Sequence, residues 1–235
     1  MSQFLDGKIA VVTGASRGIG AATAEALAAQ GAHVVLTAQT VAGLEEVEDR
    51  IYQSGGSATI APLNLTENDS VARLSSAVAE RWGKLDILVL NAAMLGNLMP
   101  VAQMDGKEFN KILTLNVIAQ QALIAAFDPL LRNSDAGRVI GVTSSVASDP
   151  RAFWGAYGAS KAAFENLVLS YADEVKNLAP VRAAILDPGA TATLMRAKAY
   201  PGEDASKLKQ PSAVADAIVE LLRSDFETGH RLEVR

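Results

Sequence analysis

Thr13-Gly14-Ala15-Ser16-Arg17-Gly18-Ile19-Gly20 is the stretch from which the rest of the chain can be read. It directly follows an apolar run over 8–13 and directly precedes an Ala-rich helical stretch over 18–30. Strand, glycine turn and helix in that order give a weak pattern a specific meaning, a dinucleotide-binding turn. Gly14 allows the tight turn, Gly18 lets backbone approach a pyrophosphate, and Gly20 lets helix and strand pack closely. The helix N-terminus then offers unpaired N–H groups and a positive dipole end to phosphates. An ordinary βα turn that happens to hold glycines is the bland alternative.

Outward from this turn, apolar runs alternate with helical patterns. Strands are expected over 8–13, 32–38, 57–62, 85–91, 137–143 and 180–187, with a weaker one over 230–234. Helices are expected over 18–30, 41–53, 67–82, 106–132, 155–178 and 212–223. Runs such as Ile87-Leu88-Val89-Leu90 do not alternate, as suits strands covered on both faces. Repeated β-α-β spacing builds a doubly wound, mostly parallel seven-stranded α/β sheet of Rossmann type with helices on both faces. Thr66-Glu67-Asn68-Asp69 reads as a capping-box start, Pro211 as a first helical residue and Gly31 as a helix C-cap.

Composition narrows the functions. The chain has 235 residues, enough for one well-buried domain over 1–235 and short of two. Hydrophobic residues make up 49% and charged residues 20%, a globular balance. A net charge of −5 without a basic block argues against nucleic acid and anionic membrane as partners. No cysteine is present, and His33 and His230 lie far apart, so neither a thiolate nor a histidine metal site is expected. The N-terminal residues lack a charged and apolar leader pattern, and no apolar run reaches membrane-spanning length. The expectation is a cytoplasmic protein.

A second motif carries chemistry. Tyr157 and Lys161, in Tyr157-Gly158-Ala159-Ser160-Lys161, fall on one helix face a turn apart. An ammonium beside a phenol favours phenolate, so the Tyr157 pKa is expected to fall below its usual value near 10. A tyrosine so tuned exchanges a proton with a carbonyl or alcohol oxygen. Asn116, in the otherwise apolar Leu113-Thr114-Leu115-Asn116-Val117, is a poor interior helix residue and hints at a local helix distortion with a task. Ser144 and Ser145 follow the strand over 137–143 at the sheet edge where open α/β sheets bind ligands.

Together these residues resemble the short-chain dehydrogenase/reductase family. The resemblance spans nearly the whole chain: the glycine turn, a variant Asn91-Ala92-Ala93, Asn116, Ser144, Tyr157 with Lys161, and Pro188-Gly189, in the family's order. It implies hydride transfer between a nicotinamide and a small ketone, aldehyde or secondary alcohol. Tyr157 is then general acid or base, and Ser144, 13 positions before it, polarises the oxygen, with Ser145 as fallback. Lys161 tunes the tyrosine and binds ribose hydroxyls, and Asn116 holds a water that links Lys161 to bulk.

The same resemblance assigns cofactor contacts to Gly14, Ser16, Arg17, Gly18, Ile19, Gly20, Ala38, Gln39, Asn64, Leu65, Asn91, Ala92, Ala93, Tyr157, Lys161, Pro188, Gly189, Thr191 and Thr193. Asn64 stands where relatives place Asp against the adenine. Asn91 either braces the sheet or touches the cofactor. An acid that would bind the ribose 2′-OH is missing at Ala38, and no Arg stands at Gln39. Arg17 remains for a 2′-phosphate, which makes NADP the expected cofactor ahead of NAD. Residues from about 190 to 210 read as a substrate lid, and Phe153 and Trp154 as pocket walls or packing.

Alternatives are a 3-oxoacyl-carrier-protein reductase and a catalytically silent NADP-binding regulator. The surface of Asp128, Arg132, Asp135, Asp173, Glu174 and Lys176 is mixed, not basic, which ranks the carrier below a free small molecule. A complete Asn-Ser-Tyr-Lys set argues against a silent protein. A homodimer or homotetramer is expected through the helices over 106–132 and 155–178, whose apolar residues include Leu123, Phe127, Phe164, Leu167 and Leu169.

Overall fold

The computed structural model describes residues 3–235. Its strands are β1 (Ile9–Thr13), β2 (His33–Ala38), β3 (Ser57–Pro62), β4 (Ile87–Leu90), β5 (Gly137–Val142), β6 (Val181–Asp187) and β7 (His230–Glu233). They form one seven-stranded sheet in the order β3-β2-β1-β4-β5-β6-β7. Every neighbouring pair is parallel. Strand order reverses between β1 and β4, which opens a crevice at their C-terminal ends, beside the glycine turn.

The helices are α1 (Gly18–Ala29), α2 (Val41–Gln53), α3 (Ser70–Trp82), α4 (Gly106–Leu113), α5 (Ala119–Arg132), α6 (Gly155–Val175), α7 (Leu194–Ala199) and α8 (Pro211–Arg223). Leu27, Leu44 and Ile51 of α1 and α2 pack with the β1 residues Ala10 and Val12 on one sheet face, and α8 joins that side through Val219. Leu74, Leu123, Phe127, Phe164 and Val168 of α3, α5 and α6 cover the other face with Val11 and Leu88. Because both faces are covered, β1 and β4 are buried at every residue. Phe127 and Phe164, 0% and 1% exposed, are each worth roughly 1.5–3 kcal/mol of apolar burial.

That burial revises one expectation. Leu123, Phe127 and Phe164 pack against the sheet, and only Leu167 and Leu169 of the apolar residues named for an interface remain half-buried. The helical run Gly106–Arg132 is long and apolar enough to cross a membrane by composition, yet Leu123, Phe127 and Leu131 pack it into the core.

Local signals hold at two helix ends. Gly31, at φ 97°, follows α1, with its N–H on Ala28 O at 3.0 Å and the Ala32 N–H on Leu27 O at 3.2 Å. Those two bonds close the helix in a left-handed glycine turn. Pro211 starts α8 as expected. The capping box over 66–69 does not form: α3 begins at Ser70, after Asp69 in the left-handed conformation. The Thr66 N–H and hydroxyl both bond to Asn64 Oδ1, at 3.1 and 2.8 Å, so a local turn takes the groups a cap would use.

The expected helix over 106–132 is interrupted. Thr114–Ile118 form a π-helical turn between α4 and α5. Asn116 lies inside it with 1% exposure, and the Gln120 side chain donates to the Leu115 carbonyl at 3.0 Å. An extra residue in the turn lets Asn116 face inward while Gln120 satisfies a carbonyl released from the regular ladder. α6 stops at Val175, short of 178, because Ala179 precedes Pro180 and is steered away from helix.

Candidate active site

The glycine turn has little room for side chains. Gly14 and Gly18 have φ of 66° and 58°, where L residues are strained. A Cβ on Gly20 would stand 2.2 Å from the Gly14 carbonyl oxygen, so helix and strand meet only because that atom is missing. β4 holds the turn from the other side. Thr13 Oγ1 donates to Val89 O at 3.0 Å and accepts the Asn91 and Ala92 N–H groups at 2.9 and 3.0 Å. The Asn91 amide donates to Thr13 O at 2.8 Å and Gly14 O at 3.3 Å. Asn91 therefore braces the turn. Ala93 has no positive φ, so its side chain sits there without left-handed backbone strain.

Beside the turn opens a cleft of about 770 Å³. Its lining includes the cations Arg17, Lys161, Arg196 and Lys198 and no Asp or Glu among the described residues. Arg196 is paired with Glu203, so on a chain of net charge −5 it is chiefly Arg17 and Lys198, without side-chain partners among the described residues, that set positive potential at the cleft.

The groups expected to handle protons come from the end of β5 and from α6. Ser144, Tyr157 and Lys161 all line the cleft, and among the described residues neither the Ser144 nor the Tyr157 hydroxyl has a hydrogen-bond partner. Ser145 is excluded as the facing serine, because its hydroxyl accepts from Arg151 at 3.0 Å and it does not line the cleft. Tyr157 is 6% exposed, with the Trp154 ring edge-on at 6.0 Å.

The expected lowering of the Tyr157 pKa is corrected here. Burial pushes the phenol up from its usual value, and the Asp187 charge adds to this. The Lys161 Nζ donates to the Val142 carbonyl at 2.8 Å and sits over the Tyr157 ring, 5.8 Å from its centroid. Burial in turn pulls the Lys161 ammonium down to about 8, against the pull of Glu165.

Asn116 acts one layer behind. Its Oδ1 accepts the Met94 N–H at 2.9 Å, and its Nδ2 donates to Met94 O at 2.9 Å and to Ser160 Oγ at 3.0 Å. Ser160 Oγ donates onward to the Tyr157 carbonyl at 2.7 Å. The side chain thus fastens the loop after β4 to the first turns of α6 and does not line the cleft.

Over the cleft lies α7, begun by Thr193, whose hydroxyl accepts the Arg196 N–H at 3.1 Å. The Tyr200 ring packs 5.7 Å from Trp154, and the Arg196 guanidinium lies 3.8 Å over Tyr200. Glu203 grips that guanidinium through two bonds of 2.6 Å.

The sequence profile of the short chain dehydrogenases matches residues 8–204. The chain belongs to that family. The uncharacterized oxidoreductase YciK of Escherichia coli (strain K12) is 35% identical over 225 residues, covering 94% of this chain and 88% of its own. A Pseudomonas syringae structure described as a short chain dehydrogenase superposes with a TM-score of 0.96 at 38% identity, covering 100% and 97% of the two chains. A short chain dehydrogenase structure from Shigella flexneri 2a strain 301, complexed with NADP, gives 0.94 at 33% identity and covers 100% and 99%. The protein is thus an oxidoreductase of the short-chain dehydrogenase type.

In this dehydrogenase the cleft brings together Gly14, Ser16, Arg17, Gly18, Ile19, Ala38, Gln39, Leu65, Asn91, Ala92, Ala93, Ser144, Tyr157, Lys161, Pro188, Gly189, Thr191 and Thr193. Gly20, Asn64 and Asn116 stand outside its lining. Asn64 engages its carbonyl with Gln39 at 2.9 Å and with Thr66, and its amide with Glu67 at 3.3 Å. Leu63 lines the cleft instead, as do Thr40, Met94 and Leu95, none of them anticipated. They are apolar or small loop residues without a motif, and only the sheet order brings their loops to one edge.

Proposed function

We propose that this dehydrogenase transfers a hydride between NADP(H) and a small ketone, aldehyde or secondary alcohol. The observation that carries the reading is the convergence of two free hydroxyls, Ser144 and Tyr157, on the cleft that the glycine turn opens into. The chain fits the cofactor: Gly20 leaves the close approach that the turn needs, and Arg17 and Lys161 face a lining without acids. Gly14, Ser16, Gly18 and Ile19 would hold the pyrophosphate, Arg17 the 2′-phosphate, and Thr191, Thr193, Pro188 and Gly189 the nicotinamide end. When bound, NADP(H) supplies or accepts the hydride.

The chain's own residues do the rest. Ser144 Oγ donates to the substrate oxygen and stabilises its negative charge. Tyr157 gives that oxygen a proton in reduction and takes one in oxidation. Burial pushes the phenol up, so it is protonated and able to donate when a carbonyl substrate binds. Asn116 and Ser160 fix the helix turn that presents Tyr157. Residues from about 190 to 210, with α7, act as a lid latched by Trp154, Tyr200, Arg196 and Glu203, which excludes water. The domain is one catalytic unit, and homo-oligomerisation through the outer faces of α5 and α6, next to the π-turn where Ile118 is 58% exposed, belongs to the same reading.

A thioester-linked oxoacyl substrate is the second reading, because one ground for ranking it lower falls. Asp173 lies 16 residues beyond Tyr157 on α6, about 24 Å away, so the mixed surface it belongs to does not flank the cleft. At the cleft itself stand Arg17 and Lys198, without partners among the described residues.

The test is a panel of ketones, aldehydes and acyl thioesters with NADPH, comparing wild type and Tyr157→Phe. The ring still packs but the proton is gone, so turnover should fall about 10²–10⁴-fold with cofactor affinity within a few-fold. Retention of more than half the wild-type turnover would remove Tyr157 from the mechanism.

A further inference from the structure

Tyr157, Lys161 and Glu165 follow one another at four-residue steps along a single face of α6. The first two belong to the proposed chemistry. Glu165 is 8% exposed, and a carboxylate so placed is costly unless its charge is met. It is met twice. Thr143 Oγ1 donates to Oε1 at 2.7 Å, and Arg231 Nη1 donates to Oε2 at 2.7 Å. Thr143 immediately precedes Ser144 at the end of β5, and Arg231 belongs to β7. One carboxylate thereby ties together the helix of Tyr157, the strand that delivers Ser144, and the far strand of the sheet. An ion pair of this kind adds little stability over apolar groups of the same shape, so stability alone does not account for it.

The charges around it are defined. From α6 come Tyr157 and Lys161, from β7 Arg231 and Glu233, from the end of β6 Asp187, and from the segment before α8 Lys209. Burial pushes the Asp187 carboxyl up, the Gly189 N–H bond opposes this, and Glu233 and Glu165 add to it. For Lys161, burial favours the neutral amine and Glu165 is the charge that works against it.

We propose that Glu165 is a positioning residue for this reaction, a counter-charge one helix turn from Lys161 whose bond to Thr143 fixes the strand end presenting Ser144. The inference rests on the Tyr157–Lys161 reading of the site. Arg231 shares the same carboxylate and so moderates its pull on Lys161. A strand outside the cleft is thereby coupled, through Arg231, to the helix that carries Tyr157 and Lys161.

Glu165→Gln keeps an acceptor for Thr143 and removes the charge. Its pH–rate profile on the best panel substrate and its NADP affinity, titrated by fluorescence, are compared with wild type at pH values from about 6 to 10. At low pH, where Lys161 is protonated in both, turnover and affinity should stay within about two-fold. The alkaline fall in both should move about one pH unit lower, giving up to about tenfold loss above it. Arg231→Gln should move the fall upward. An alkaline fall unmoved in Glu165→Gln, or a uniform loss at every pH with a lower urea midpoint, would overturn the inference and leave Glu165 a structural residue. If Glu165→Gln does not fold, Arg231→Gln decides: a fall that fails to rise overturns the proposal. Tyr157→Phe is run beside them. Its inactivity with an unmoved Glu165→Gln profile sinks this inference alone, while its full activity sinks the site reading and this inference together.

Discussion

At the residue scale, the proposed preference for NADP rests on a few side chains at the rim of the glycine turn. Arg17 stands at the start of α1 with an extended backbone and no partner among the described residues, and it lines the cleft with Ala38 and Gln39. A guanidinium there can take a 2′-phosphate, and no carboxylate at Ala38 competes by binding the ribose hydroxyl. Arg17→Ala should weaken NADP far more than NAD, since a charge-assisted contact is worth roughly 1.5–3 kcal/mol, or about 10–150-fold. Ala38→Asp should compound the switch by accepting from the 2′-OH and repelling a phosphate. Fluorescence titration of both cofactors against each variant checks this, and equal losses for NAD and NADP in Arg17→Ala would remove Arg17 from the recognition.

At the scale of elements, the π-turn between α4 and α5 governs how the first turns of α6 are held. Asn116 reaches Met94 in one direction and Ser160 in the other only because Thr114–Ile118 are wound more widely than an α-helix. Asn116→Ala strands the Met94 N–H and C=O, at about 1–3 kcal/mol for a buried group left unpaired. The urea midpoint and the turnover should fall together, while NADP affinity changes little because the side chain is outside the cleft lining. A variant with normal stability and normal turnover would show that the turn does not depend on this side chain.

For the whole molecule, acid stability is concentrated at the opposite edge of the sheet. Asp86, 1% exposed, accepts from Ile9 N–H at 2.9 Å and Ser134 Oγ at 2.6 Å and pairs with Lys8 and Lys84 at 3.2 and 3.1 Å. Burial alone would raise its pKa, but the Ser134, Ile9, Lys84 and Lys8 bonds outweigh burial and hold it below the usual carboxylate value. A depressed folded pKa gives stability that is present above the unfolded value, near 4, and is lost as pH falls through the folded one. Asp86→Asn should cost about 3 kcal/mol near pH 7. The gap from wild type should narrow on acidification to about pH 3, because below about 4 the unfolded wild type takes up a proton that the folded carboxylate resists. Urea midpoints at the two pH values measure both, and a gap independent of pH would place the acid sensitivity elsewhere.

Sequence by itself determined the sheet, because a non-alternating run such as Ile87 through Leu90, apolar at every position, can be satisfied only by cover on both faces. It also determined the glycine turn and the Tyr157–Lys161 pair, whose spacings are local and carry their own geometry. The serine was legible by spacing, but only the bond from Arg151 to Ser145 left Ser144 as the one facing the cleft. The failed capping box, the π-turn and the direction of the Tyr157 shift were decided by tertiary structure. Asn64 drew Thr66 into a turn, Ser160 drew Asn116 inward, and the Val142 carbonyl took the Lys161 ammonium while burial raised the phenol. The last two partners come from distant segments, and the first is itself held by Gln39 of another strand end. A side chain's proton affinity follows the burial and charges that packing creates, and neighbours along the chain do not specify them.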